Sequence, residues 1–159
     1  MTLAYVGLGA NIGEPRRQLQ TALKELTGLP KTRMTATSGL YRSAPLGYPD
    51  QPEFLNAVVE LDTELSAEAL FDNLQEIEKA HGRERPFAGA PRTLDLDLLL
   101  FGDEALATPR LTVPHPRMHQ RAFVLRPLAE IAPQASIPGR GKARELLSAC
   151  RDQLAERID

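Results

Sequence analysis

Two aspartates, Asp95 and Asp97, stand two positions apart in the run "RTLDLDLLLF" at 92–101, which from 94 onward is otherwise leucine and phenylalanine. The run reads as a buried strand over about 94–101. On a strand, residues i and i+2 project from one face about 6.5–7 Å apart along the chain. The two carboxylates therefore share a face, while Leu96, Leu98 and Leu100 fill the opposite, core-facing side. A buried carboxylate is costly unless a cation compensates it. Two carboxylates so placed can converge on one or two divalent ions, and oxygen-only ligation favours Mg²⁺ or Mn²⁺. An edge strand with two solvated aspartates has the same pattern, and Asp-x-Asp alone does not separate the two readings. Arg92, three residues upstream, favours the metal, because its guanidinium could hold a phosphate that the metal brings in.

The net charge of −2 at pH 7 argues against a protein built to coat nucleic acid. That average hides a local asymmetry: Arg83, Arg85, Arg92, Arg110, Arg117, Arg121 and Arg126, with His115 and His119, crowd the segment 83–126. Arginine is the preferred residue for bidentate phosphate contacts, and magnesium usually shares its shell with substrate phosphates. Taken singly, each arginine fits surface solubility as well. Carboxylates and arginines concentrated in one third of the chain fit a nucleoside triphosphate site better.

Other motifs carry less. "GLGANIG" resembles a dinucleotide fingerprint, but the third glycine would fall at position 12, where Ile12 stands. No G-x-x-x-x-G-K-S/T run exists, which excludes a P-loop. His115 and His119 have the spacing of zinc ligands on a helix, yet Pro114 and Pro116 oppose a helix there and no third ligand is evident. Cys150, the only cysteine, falls on an apolar stripe with Leu146 and Leu147 and reads as a core residue. With no disulfide possible within the chain, a reducing compartment is expected.

These residues need elements to hold them. At 159 residues, 42% hydrophobic and 25% charged, a single domain spanning 1–159 is expected. The start lacks a signal-peptide pattern, and nothing approaches the roughly 20 apolar residues of a membrane span, so a cytoplasmic protein is expected. Residues 3–9 read as a strand, and Pro15 opens a helix with Leu19, Ala22, Leu23 and Leu26 at helical spacing. Residues 33–42 form a second strand, and "SAPLGYPDQPE" a long loop. Residues 54–63 alternate most clearly, with Leu55, Ala57, Val59 and Leu61 on one face and Phe54, Asn56, Val58 and Glu60 on the other. Ser66 caps a helix to about Ala80, with Gly82 ending it. "GRERPFAGAP" is a mobile loop before the aspartate strand, and two further helices are expected near 122–131 and 142–156. This β-α-β-β-α-β order implies an α+β, ferredoxin-like sandwich with extra C-terminal helices.

Four stretches together resemble the 6-hydroxymethyl-7,8-dihydropterin pyrophosphokinases of folate biosynthesis: "YVGLGANIG", "LYRSAPLGYPDQPEFLNAVVEL", "PRTLDLDLLLFG" and "LTVPHPRMHQRAFVLRPLAEIAP". They cover most of the chain, and "PRTLDLD" followed by "PHPRMHQRAFVL" is highly specific. The resemblance implies that Asp95 and Asp97 bind two Mg²⁺ along the triphosphate of ATP. It implies phosphate contacts for Arg83, Arg85 and Arg92, the first two from a closing lid. Nucleotide contacts are implied for Gln75, Glu78, Leu98, Arg110, Leu111, Thr112, His115 and Arg121. Phe54 and Phe123 would sandwich the pterin and Asn56 would bond its edge, with Ser43 and Leu46 lining the pocket. Lysine often stands at the position of Arg110 in the family, and tyrosine at that of Phe54. The family's lid tryptophan is missing; the chain reads "FAGAPRT", with Phe87 the nearest aromatic in a different register.

The expected reaction is in-line attack by the pterin hydroxymethyl oxygen on the β-phosphorus of ATP, with small-molecule partners, no nucleic acid, no membrane and a monomeric enzyme. Paired carboxylates on such a sheet also suit a nucleotidyltransferase acting at the α-phosphorus. A single-strand RNA-binding module shares the topology but needs aromatics spread over the sheet and a basic surface.

Overall fold

The computed structural model describes residues 1–44, 52–82 and 94–159. At its centre, β1 (Thr2–Ala10) runs between β4 (Phe54–Thr63) and β5 (Asp95–Phe101), antiparallel to both. Along the outer edge of β4 lie β2 (Thr32–Thr37) and β3 (Tyr41–Ser43), end to end. α1 (Pro15–Thr27) leads from β1 to β2, and α2 (Ala67–Ala80) follows β4. With β2 and β3 counted as one edge, this is the expected ferredoxin-like order.

The expected single strand over 33–42 is broken at Ser38–Leu40. Ser38 turns its peptide and hydroxyl onto Val58, donating its N–H to Val58 O and accepting the Val58 N–H at its Oγ, both at 2.9 Å. A Cβ on Gly39 would displace the ends of the Arg157 and Asp159 side chains. The helices start as expected: Pro15 lies at the start of α1, and Ser66 Oγ accepts the Ala69 N–H at 3.1 Å. Gly82 leaves α2 with φ of 72°.

One face of the sheet packs on α1 and α2. Val6, Leu8, Val59, Leu61, Leu96 and Leu98 meet Leu19, Leu26, Leu70 and Leu74, all buried. Each such side chain contributes about 1.5–3 kcal/mol on burial. The other face packs on α3 (Ala122–Ile131), where Val58, Leu99 and Leu100 meet Val124, Leu125 and Leu128. Leu100 thus departs from expectation. Val6 opposes Leu98 while Tyr5 opposes Leu100, which leaves Leu99 as an extra residue in β5. Such a bulge reverses the alternation beyond it. Leu100 joins the α3 core and Phe101 returns to the helical face.

The expected helix over 142–156 is also corrected. After β6 (Leu106–Ala107), β7 (Thr112–Val113) and α3 come β8 (Ser136–Ile137) and β9 (Gly141–Lys142). The chain then forms only α4 (Ala143–Leu146), a 3₁₀ turn over Leu147–Cys150 and β10 (Ala155–Arg157). β10 pairs with β3, Ala155 opposite Ser43 and Arg157 opposite Tyr41. That pairing covers hydrogen-bonding groups β3 would otherwise leave open at a sheet edge, and it outweighs local helix propensity. Cys150 is buried in the α3 core, as expected, and burial pushes its thiol up. Among the described residues, no helix is long and apolar enough to cross a membrane.

Candidate active site

Register across three strands builds the site. Gly9 pairs with Asn56 on β4 and with Asp95 on β5, and Gly7 pairs with Val58 and Asp97. Directly paired residues lie on one face of a sheet. Asn56, Gly9, Gly7, Asp95 and Asp97, together with Phe54 two residues before Asn56, therefore share the face turned away from α1 and α2. Neighbouring strands lie about 4.8 Å apart, so the Asn56 and Asp95 backbones stand about 10 Å from one another across a strand with no side chain between them.

Asp95 and Asp97 are half-buried rather than buried, so the desolvation cost assumed from the leucine-rich sequence is smaller than a core position would impose. β5 ends this main sheet, and its outer edge is held from two sides. The Leu96 N–H, between the two aspartates, donates to Glu78 Oε2 at 2.8 Å, and the His115 N–H donates to Leu99 O at 2.9 Å. Glu78 is only 3% exposed. It sits one helical turn beyond Gln75, which is half-buried on α2. Leu96 and Leu98 have the same strand parity before the bulge, so the Leu98 peptide also faces the outer edge while its side chain lies in the core.

Burial drives His115 down from 6.5 to about 4; Arg121 and Arg117 push the same way, against an opposing pull from Asp95. Asp95 and Arg121 thus each lie within electrostatic reach of His115. The His115 Nδ1 accepts the Arg117 N–H at 3.1 Å, which leaves the proton of the neutral ring on Nε2. Arg121 lies over the Phe123 ring, 5.5 Å from its centroid. Phe123 and Phe54 are each half-buried.

On the β4 side, Ser43 and Asn56 are both buried, and Ser43 Oγ donates to Asn56 Oδ1 at 2.5 Å. Asn11, at the end of β1, donates its Nδ2 to Pro52 O at 3.1 Å and so ties β1 to the chain entering β4. In the sequence, Gly7, Gly9 and Asn11 figure in a failed dinucleotide fingerprint and in the stretch "YVGLGANIG", and neither reveals this arrangement. The signal was two glycines two apart on a strand, which strip one face of side chains.

Other expected residues lie further out. The Arg110 guanidinium bonds Asp72 of α2 and lies 5.8 Å from the Phe71 centroid. Leu111 is buried in the core and Thr112 is exposed on β7. Arg126 leaves the supposed cationic cluster altogether: its Nη1 donates to Ala155 O at 2.7 Å, and its guanidinium covers Tyr41. Arg83, Arg85, Arg92 and Leu46 lie outside the described residues, as do Phe87 and nearly all of the expected lid and proline-rich loop.

The donor set suits a hard cation in part. Asp95 and Asp97 bring only carboxylate oxygens, and among the described residues no group of three or more histidine, cysteine, aspartate or glutamate side chains is gathered for a metal. A magnesium ion held by one or two carboxylates, with its remaining positions left to phosphate and water, fits such a pair.

Known proteins resemble this chain along most of its length. Residues 5–133 match the family described as 7,8-dihydro-6-hydroxymethylpterin-pyrophosphokinase (HPPK). A relative from Pseudomonas aeruginosa, named 2-amino-4-hydroxy-6-hydroxymethyldihydropteridine pyrophosphokinase, is 52% identical, covering 97% of this chain and 95% of its own. A relative of the same name from Haemophilus influenzae is 45% identical over 96% and 95% of the two chains. Crystalline wild-type HPPK-DHPS of Plasmodium falciparum, solved with pterin and p-hydroxybenzoate, shares the fold with a TM-score of 0.71 at 14% identity. That match covers 92% of this chain, which spans 42% of the Plasmodium chain. A sheet that sets two carboxylates beside an asparagine and aromatic rings, with sequence likeness along nearly the whole chain, has one reading: this chain belongs to the 7,8-dihydro-6-hydroxymethylpterin-pyrophosphokinase family.

Proposed function

We propose a division of labour among these residues for the family's reaction, transfer of pyrophosphate from ATP to the hydroxymethyl group of 6-hydroxymethyl-7,8-dihydropterin in folate biosynthesis. Phe54 and Phe123 hold the flat pterin between their faces, and Asn56 bonds its edge, with Ser43 and Leu46 completing the wall. Gln75, Glu78, Leu98, Arg110, Leu111, Thr112 and His115 receive the nucleotide, Leu98 through its edge-facing peptide and His115 through Nε2–H. Arg83, Arg85, Arg92 and Arg121 hold the phosphates. Asp95 and Asp97 hold two Mg²⁺, which when bound would neutralise triphosphate charge.

The chain's own work is then positioning. The hydroxymethyl oxygen approaches the β-phosphorus in line with the bridge to the α-phosphate. A bond forms from that oxygen to the β-phosphorus, the bridge breaks, AMP leaves, and the hydroxyl proton passes to solvent or phosphate oxygen. Orientation alone can supply roughly 7–11 kcal/mol of barrier lowering, and arginines stabilise the transferred charge. Residues 1–159 act as a single monomeric domain in the cytoplasm, on small molecules rather than nucleic acid. Family membership lends no support to the nucleotidyltransferase or RNA-binding alternatives.

The observation that carries this reading is the row Asn56–Gly9–Asp95, which sets an amide opposite the carboxylate pair across a strand position with no side chain. Phosphorus NMR of the protein with ATP, Mg²⁺ and 6-hydroxymethyl-7,8-dihydropterin tests it. AMP and the pterin diphosphate must appear in equal amounts, and AMP formation without the pterin must be far slower. ADP, or free pyrophosphate, as the main product refutes the reading.

A further inference from the structure

Gly9 stands between the two halves of the site, and the Asn56 amide presses closest on the space around it. A Cβ on Gly9 would lie 3.2 Å from Asn56 Nδ2 and 3.7 Å from Phe54 Cδ1. The first distance is tighter than ordinary van der Waals contact, so either the amide moves or the strand does. The amide is poorly able to move. Asn56 is 4% exposed, and its Oδ1 is held by Ser43 Oγ at 2.5 Å across the β3–β4 pair. The Asn56 backbone is fixed in turn by pairing with both Tyr41 and Gly9. Among the described residues, Nδ2 has no hydrogen-bond partner, although such a buried donor costs free energy when left unpaired. It lies over Gly9, on the way from β4 toward Asp95.

We infer that Gly9 is a specificity-determining position: its missing side chain lets the Ser43-anchored amide of Asn56 lean over β1 and offer its NH₂ group to an acceptor on the pterin. With Ser43 Oγ donating to Oδ1, the two Nδ2 protons of Asn56 point away from β3. A ligand with a hydrogen-bond acceptor at that edge is selected, and one presenting a donor there is refused. This rests on the pterin reading of the β4 wall given above.

Gly9→Ala is the direct test, read by calorimetric titration of the pterin and, separately, of a non-hydrolysable ATP analogue with Mg²⁺. Loss or distortion of one such bond should weaken the pterin about fivefold to tenfold, with the nucleotide changed less than twofold. In an Asn56→Ala background the same substitution should cost nothing further, because the amide it crowds is gone. Unchanged pterin affinity in Gly9→Ala, or a penalty that persists in full without Asn56, overturns the inference. Should Gly9→Ala fold poorly, Ser43→Ala releases the same amide without adding an atom to β1. It must weaken the pterin selectively, and wild-type pterin affinity there overturns the inference too. Wild-type protein that binds no pterin at all would instead sink the function proposed above, and this inference with it.

Discussion

Replacing Glu78 by alanine removes the group that holds β5 by its outer edge. The Glu78 carboxylate is 3% exposed and accepts the Leu96 N–H at 2.8 Å, between Asp95 and Asp97. A hydrogen bond to a charged group contributes about 1.5–3 kcal/mol, and a buried N–H left unmade costs about 1–3 kcal/mol. The two overlap, so the alanine variant should lose about 3 kcal/mol, or about 6–12 °C in melting temperature for a chain of this size. Glu78→Gln keeps an acceptor oxygen but not the charge, and should lose about 1 kcal/mol, or about 2–4 °C. Both values concern the protein without ligands, measured by scanning calorimetry. Turnover at saturating ATP, pterin and Mg²⁺ should fall in the same order, alanine far below glutamine, because the strand that carries both aspartates is no longer pinned between them. An alanine variant that melts with the wild type refutes the reasoning. If Glu78 instead serves the nucleotide contact expected from the sequence, ATP-analogue affinity falls while the melting temperature holds.

Two further predictions concern the carboxylate pair and the histidine beside it. Asp95→Ala and Asp97→Ala should each nearly abolish turnover; near-normal turnover at saturating Mg²⁺ removes the pair from the mechanism. His115, held down to about 4 from 6.5 by burial and Arg121, takes up its proton later than the unfolded chain does, so its contribution to stability is intact above pH 6.5 and is lost as pH falls toward 4. NMR titration of the ligand-free protein should place its midpoint near 4, and a midpoint at or above 6.5 refutes the assignment of a neutral Nε2–H donor.

Much of the site was legible because its positions follow from local periodicity. The alternation over 54–63 separates Phe54 and Asn56 from Leu55, Ala57 and Val59, and β4 spans those very residues. Asp95 and Asp97 share a face because i and i+2 always do on a strand. Ser66 announces α2, and its hydroxyl caps that helix. Each of these needs only neighbours within a few residues, and the sequence contains them.

What the sequence by itself determined, then, is which side chains each strand and helix would turn to one face. Tertiary structure decided what those faces meet. The bulge at Leu99 moves Leu100 to the α3 core because β5 must keep register with β1, some ninety residues away. Residues 155–157 become β10 rather than helix because the edge of β3 offers them hydrogen bonds that no local signal announces. Arg126, one arginine among seven, goes to Ala155 O and Tyr41 instead of phosphate, and Glu78 reaches Leu96 through the interior. Gly9 acquires its place between Asn56 and Asp95 only when three strands from distant parts of the chain align. Pairing between such segments is set by the global balance of packing and satisfied backbone groups, so the meaning of a single glycine there is a property of the folded sheet.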